Sequence, residues 1–184
     1  MRFTELAISG AYLIDVDPIE DSRGFFAKVL SIEELQQYGW PSNILQVNNS
    51  YNHQKGTLRG LHYQIPPHQE AKLIRVIQGA LWDVIVDLRP NSPTFGEWTS
   101  LTLSASQRNM ILVPPGCAHG LMTLVDHTEM MYFVSENYHP ASERGIRWDD
   151  PTFGIEWPMP PTVISEKDAN AAIFDRKWHL WYGA

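Results

Sequence analysis

Short runs of alternating or continuous apolar residues, closed off by Gly and Pro, recur along most of the chain. Ala11 to Val16 alternates weakly and predicts an edge strand. Asp21-Ser22-Arg23-Gly24-Phe25-Phe26 reads as a turn followed by an aromatic strand. Ser31-Ile32-Glu33-Glu34 is a capping box with Gly39 as the stop, which predicts a short helix over Ile32 to Tyr38. Leu45 to Tyr51 is a polar strand in which Val47 is the only aliphatic residue of Gln46-Val47-Asn48-Asn49-Ser50, as expected of a strand that is either solvated or lines a ligand cavity, the cavity being the preferred reading.

From Thr57 onward the strands come densely. They are Thr57 to Gln64, Lys72 to Ile77, Leu81 to Leu88, Trp98 to Leu103, Met110 to Val113, Ala118 to Leu124 and Glu129 to Ser135. Gln78-Gly79 predicts a hairpin between the second and third of these. So many short strands with so few helical stretches predict an all-β chain folded as a two-sheet β-sandwich or barrel. Beyond Tyr138 the pattern is irregular. Ser165-Glu166-Lys167-Asp168 opens a short helix through Ala172, and the tail Trp178-His179-Leu180-Trp181-Tyr182 is aromatic. With no linker or internal repeat, the expectation is one domain over 1–184, with a helical and aromatic tail from about residue 163.

The chain has 184 residues, with 14 Lys plus Arg against 21 Asp plus Glu, a formal charge of −7. That balance argues against nucleic acid as a partner, which needs a basic footprint. Any small anion must be held by a local cluster. The single cysteine, Cys117, rules out an internal disulfide and fits a reducing compartment. No leader-like segment and no run of membrane-spanning length is visible, so a cytoplasmic protein without a membrane partner is expected.

The candidate chemistry centres on Leu58-Arg59-Gly60-Leu61-His62-Tyr63-Gln64 and on Lys72. Side chains three apart on a regular strand point to opposite faces. Arg59 and His62 can therefore share one ligand only if a bulge intervenes, and Gly60 is where one fits. Lys72, first in its strand, can face the same cavity. A guanidinium to hold an anion, an imidazole base and an ammonium beside a developing negative charge suit proton abstraction. Read alone, Tyr132 is better taken as a core tyrosine whose hydroxyl finds a partner, and Asp168 as a helix cap.

Pro114-Pro115-Gly116-Cys117-Ala118-His119-Gly120 resembles the second half of the cupin signature, in which the histidine binds metal. The first half is lacking, because His62 is followed by Tyr63-Gln64 rather than by a second histidine. An alternative metal set would draw on His62, His68, Glu70 and His119; the preferred reading is a metal-free cupin.

A wider ordered set of motifs carries a more specific likeness. It comprises Arg23-Gly24-Phe25-Phe26, Gln46-Val47-Asn48-Asn49-Ser50, Leu58 to Gln64, Lys72-Leu73-Ile74-Arg75 and Asp83 to Arg89. It continues through Ser92-Pro93-Thr94-Phe95-Gly96, Pro115 to Gly120, Tyr138-His139-Pro140, Glu143 to Trp148 and Gly154 to Pro158. Together these resemble the nucleotide-sugar 3,5-epimerases, the dTDP-4-dehydrorhamnose 3,5-epimerase family, over roughly residues 10 to 172.

The resemblance implies a cupin-type jelly roll and a homodimer in which an N-terminal strand crosses to the partner. The substrate would be a nucleoside-diphosphate 4-keto-6-deoxy sugar, inverted at C3, C5 or both, with no cofactor. By the same resemblance, His62 is the base, oriented by Asp168, Tyr132 returns a proton from the opposite face, and Lys72 stabilises the enolate. Arg59 and the partner's Arg23 would hold the diphosphate. Phe26, Gln46, Asn48, His119, Glu143 and Lys167 would complete the pocket, and Tyr138 would stack on the base. Lys28 and Val47 depart from the family pattern where the nucleotide should bind, and the tail after Ala172 has no counterpart in it. The rival readings are a metal-dependent cupin oxygenase or isomerase and a sugar-nucleotide-binding cupin without catalysis.

Overall fold

The computed structural model describes residues 1–180. Trp181 and Tyr182 of the aromatic tail lie outside that range. In chain order the strands are β1 (Arg2–Glu5), β2 (Tyr12–Asp15), β3 (Ile19–Asp21), β4 (Gly24–Phe26), β5 (Gln46–Asn52), β6 (Thr57–Gln64) and β7 (Lys72–Gln78). They continue as β8 (Ala80–Asp87), β9 (Trp98–Ser104), β10 (Met110–Val113), β11 (Cys117–Thr123), β12 (Thr128–Val134), β13 (Glu143–Gly145) and β14 (Val163–Ile164). Three short helices lie at the periphery: α1 (Ile32–Gln36), α2 (Glu166–Ala169) and α3 (Arg176–His179). Among the described residues no helix is long and apolar enough to cross a membrane.

Two sheets face each other in a jelly roll. One has the strand order β1-β2-β10-β7-β12-β5 and the other β13-β6-β11-β8-β9, with β14 added parallel to β6. Between them lies an apolar core that includes Ile74, Val76, Leu81, Ile85, Leu103, Ile111, Leu121 and Met130. The outer face of the first sheet is covered as well. Leu73, Met110 and Leu112 pack there with Leu35 of α1 and with Trp40. The outer face of the second sheet buries Leu61, Tyr63, Val84, Val86 and Ala118 against Ile146 and Phe153. Burial on both faces explains why β8, β10 and β11 read as almost continuous apolar runs rather than alternating ones.

Two predicted features need correction. Ala11 to Val16 does not form an edge, because β2 is flanked by β1 and β10. The polar segment Arg2–Glu5 supplies that edge, and its side chains give no alternating signal. Gln78-Gly79 does not make a hairpin either, since β7 and β8 belong to different sheets. Gly79 has a φ of +78°, and a Cβ there would lie 2.6 Å from Thr128 Oγ1, so the tight turn does require glycine. It sends the chain across the sandwich instead of back along its neighbour. The predicted helix after Ser31 is present but shorter, ending at Gln36. Its capping box is half made: Ser31 accepts from Glu34 N, whereas the Glu34 carboxylate pairs with Lys28.

Candidate active site

A cavity of about 510 Å³ opens between one end of the two sheets, within the range of small-molecule sites. The first sheet lines it with Gln46, Asn48 and Ser50 of β5, Lys72 and Ile74 of β7, and Met130, Tyr132 and Val134 of β12. Each set advances by two, as one face of a strand must. The polar strand β5 thus turns its amides to the cavity, while Asn49 points the other way and donates to Glu129 at 2.6 Å.

The second sheet contributes Arg59, His62 and Gln64 of β6, His119 and Leu121 of β11, and Glu143 of β13. Arg59 and His62 share the cavity because β6 carries the expected bulge. His119 pairs with His62 and Leu121 with Arg59, so a two-residue step on β11 faces a three-residue step on β6. The bulge falls at Gly60, whose φ is +109°. A Cβ there would sit 2.7 Å from the His119 carbonyl oxygen. Only glycine fits, so one missing methyl group lets the guanidinium and the imidazole meet.

His62 is held by α2. Its Nε2 lies 2.6 Å from Asp168 Oδ1, and the side chains are 33% and 6% exposed. Burial alone would raise the Asp168 carboxyl. The His62 hydrogen bond, the Gly60 N–H and the Ser165 hydroxyl outweigh it and hold the group below the usual carboxylate value. An ionised carboxylate only accepts, so His62 Nε2 donates and the lone pair rests on Nδ1. The capping role expected of this segment is real too, since Ser165 Oγ accepts from Asp168 N. The cap presents the residue, and its carboxylate serves His62.

Lys72 Nζ lies 3.0 Å from Glu70 Oε1 and donates to the His62 carbonyl at 3.3 Å, with only 12% of its side chain exposed. Arg59 Nε donates to the buried Asn52 Oδ1 at 2.8 Å, which leaves the outer guanidinium nitrogens for a ligand. At the rim Glu143 accepts from Lys167 at 2.5 Å and from the Tyr138 hydroxyl at 2.8 Å. Burial raises Glu143, but these two bonds prevail and keep it below its ordinary value. The same contact to Glu143 raises Lys167 and also, as the largest cause, Tyr138.

His119 has a partner that the sequence reading missed. Its Nε2 is 2.9–3.0 Å from both oxygens of Asp83, which is fully buried in β8. Burial pushes the Asp83 carboxyl up, against the opposing pull of His119. A charged residue inside the apolar run Leu81 to Leu88 was the available signal, because a buried acid must be paired. Glu70, Asn52 and Ser50 were also not assigned to the site.

Arg23 and Phe26 do not reach this cavity within the chain. They lie on the β3–β4 hairpin, where Arg23 pairs with Asp21 and Phe26 is 73% exposed. The alternative metal set does not assemble either. His62 turns to Asp168, His119 to Asp83 and Glu70 to Lys72, while His68 stacks on His139.

Such a pocket can take a proton from a carbon acid on one wall, hold the resulting negative charge, and offer a phenol on the other wall. That is the chemistry of an isomerase acting by proton transfer, carried here on a cupin-type jelly roll. The family model described as dTDP-4-dehydrorhamnose 3,5-epimerase matches residues 5–176, and the chain belongs to that family. A relative of the same description from Methanothermobacter thermautotrophicus is 42% identical over 92% of each chain. The Bacillus anthracis dTDP-4-dehydrorhamnose 3,5-epimerase, solved with TDP and PPi bound, superposes with a TM-score of 0.89 at 40% identity, covering 94% of this chain and 99% of that one. The Legionella pneumophila dTDP-6-deoxy-D-glucose-3,5-epimerase, solved in complex with dTDP-4-keto-L-rhamnose, gives 0.89 at 34% identity, covering 100% and 99%.

Proposed function

We propose that the chain converts dTDP-4-dehydro-6-deoxy-D-glucose to dTDP-4-dehydro-L-rhamnose by inverting C3 and C5 beside the C4 ketone. The observation that carries this reading is one cavity with the His62–Asp168 pair on the second sheet, Tyr132 on the first, and Lys72 beside them.

His62 Nδ1 takes the proton from the carbon next to the ketone. The C–H electron pair moves into the ring, and the carbonyl oxygen becomes an enolate. Lys72 donates a hydrogen bond to that oxygen from a largely buried position, where such a bond counts most. Tyr132 then gives its hydroxyl proton to the opposite face of the carbon and the ketone re-forms. The phenolate regains a proton from water, and His62 releases the one it took. Asp168 holds the imidazole in the tautomer that can accept. Nothing is oxidised or reduced overall.

Arg59 anchors the diphosphate, Tyr138 stacks on the base, and Gln46, Asn48, His119, Glu143 and Lys167 line the sugar and nucleotide. Arg23 and Phe26 reach the pocket of a second copy in a homodimer that exchanges its N-terminal hairpin. In support, Ile19 and Phe26 of that hairpin are 72% and 73% exposed, more apolar surface than a lone hairpin leaves in water without reason. A nucleotide-sugar substrate also suits the cytoplasmic location expected from the sequence.

Incubation with the 4-keto-6-deoxyglucose nucleotide in heavy water, followed by NMR, tests the reading. Deuterium at both C3 and C5 is expected. Incorporation at one carbon makes the protein a single-centre epimerase, and none in folded protein overturns catalysis on this substrate. Sedimentation equilibrium gives a dimer mass if the hairpin exchange is right.

A further inference from the structure

A second cluster of ligating side chains stands beside the cavity and takes no part in the proposed reaction. His68 sits on the loop between β6 and β7, and Glu136 and His139 sit on the segment after β12. One ligating atom from each lies within 4.8 Å of the other two. His68 Nδ1 is 4.0 Å from Glu136 Oε2, and His139 Nε2 is 3.7 Å from Glu136 Oε1. Both distances are too long for hydrogen bonds. The carboxylate therefore faces two imidazole nitrogens across a gap that no direct contact closes.

The backbone beneath the gap is fixed in advance. Gln64, only 3% exposed, donates to the carbonyls of His68 at 3.0 Å and Asn137 at 3.1 Å, and accepts from His139 N at 2.6 Å. One buried amide thus clamps the loop carrying His68 to the segment carrying the other two ligands. Glu136 Oε1 also accepts from Asn137 N at 2.7 Å, which orients the carboxylate. Supports of this kind, outside the ligand atoms themselves, are what a metal site needs to keep its ligands in register.

We propose that His68, Glu136 and His139 bind a divalent transition-metal ion of the zinc class. Two imidazoles and one carboxylate are a ligand set that such ions favour, and three protein ligands leave a position for water. Metal–ligand bonds of roughly 2.0–2.2 Å would draw the three atoms inward by a few tenths of an ångström. The two rings stack at 3.4 Å and 15° from parallel, so their lone pairs do not yet converge and one ring must swing. Side-chain exposures of 34% and 37% leave room for that rotation. The bound ion would cross-link the two segments that Gln64 already joins and steady Tyr138, which lies between two of the ligands at the cavity rim.

The test is calorimetric titration of the full, untagged chain with ZnCl2, with CoCl2 as a spectroscopic probe. One saturable equivalent is expected, with visible cobalt absorption that zinc displaces. His68→Asn, His139→Asn and Glu136→Gln should each abolish the saturable heat while leaving the metal-free melting temperature unchanged. Absence of saturable binding to the parent protein overturns the proposal. So does an equivalent that survives the substitutions, which would place the ion elsewhere. Three variants on two segments ensure that a folding defect in one leaves the others to decide.

Discussion

Two histidines on neighbouring strands, His62 and His119, face the cavity, each backed by an aspartate, and the two pairs are built to opposite ends. In the first, Asp168 receives His62, a backbone N–H and a serine hydroxyl, and its carboxyl is held below the ordinary range. In the second, Asp83 is sealed in β8 with the His119 imidazole at hydrogen-bond distance, and burial pushes its carboxyl up. The residue types are identical and the hydrogen-bond lengths similar. What differs is the number of donors and the access of water. A buried anion with several donors, presented by a short helix, can fix the tautomer of its histidine and balance a positive charge on it. A sealed carboxylate with one partner is better suited to holding β8 and β11 in place and keeping His119 aimed at the ligand.

Substitution of the two histidines should break this symmetry most visibly. His62→Asn is expected to lower kcat by about 10³-fold or more, the scale of a lost general base. In steady-state kinetics His119→Asn should act mainly on KM. A kcat loss in His119→Asn equal to that in His62→Asn would refute the division of labour. Stability should respond the other way round. His119→Ala leaves a fully buried carboxylate without its partner, at a cost of about 3–5 kcal/mol. His62→Ala leaves Asp168 its other donors, at a cost of about 1 kcal/mol. Urea denaturation with equal m-values measures both.

The aspartates sharpen the contrast further. Asp168→Asn places an amide opposite His62 Nε2; an N–H aimed at that atom would force the imidazole proton onto Nδ1 and remove the base. A kcat loss of about 10²-fold is expected, whereas Asp83→Asn should cost less than about tenfold. The smallest effect lies in the pH dependence of folding. The native Asp168 carboxyl is depressed, so its stabilisation is present above the unfolded value near 4 and lost as pH falls through the native one. Asp83 is raised, so its contribution has the opposite sign: stability grows as pH falls through its native value toward the unfolded one. Acid titration of the two Asn variants should therefore diverge from the parent in opposite directions.

Much of this site was legible because its strands carry strong local signals. Thr57 to Gln64 is bounded as predicted, and the spacing of Arg59 and His62 required the irregularity that Gly60 provides. Lys72 opens its strand and faces the cavity, and the amides of β5 line it. Asp83 was missed because an acid within an apolar strand states that a partner exists without saying which one. The turn at Gly79 was misread for a related reason. A left-handed glycine reverses a chain locally in the same way whether the next strand pairs with the last or crosses to the facing sheet. Arg23 was expected to act on a second copy and Phe26 to complete the pocket; both lie on the exposed β3–β4 hairpin, away from the cavity of their own chain.

The distance along the chain between His62 and Asp168, 106 residues, bears on how the molecule comes into being. A ribosome releases β6, with His62, long before the helix α2 that carries Asp168. A nascent chain with both sheets nearly complete still lacks the anion behind His62. The pair therefore cannot form until α2 has emerged, 106 residues after His62, and the site proposed here stays incomplete until then.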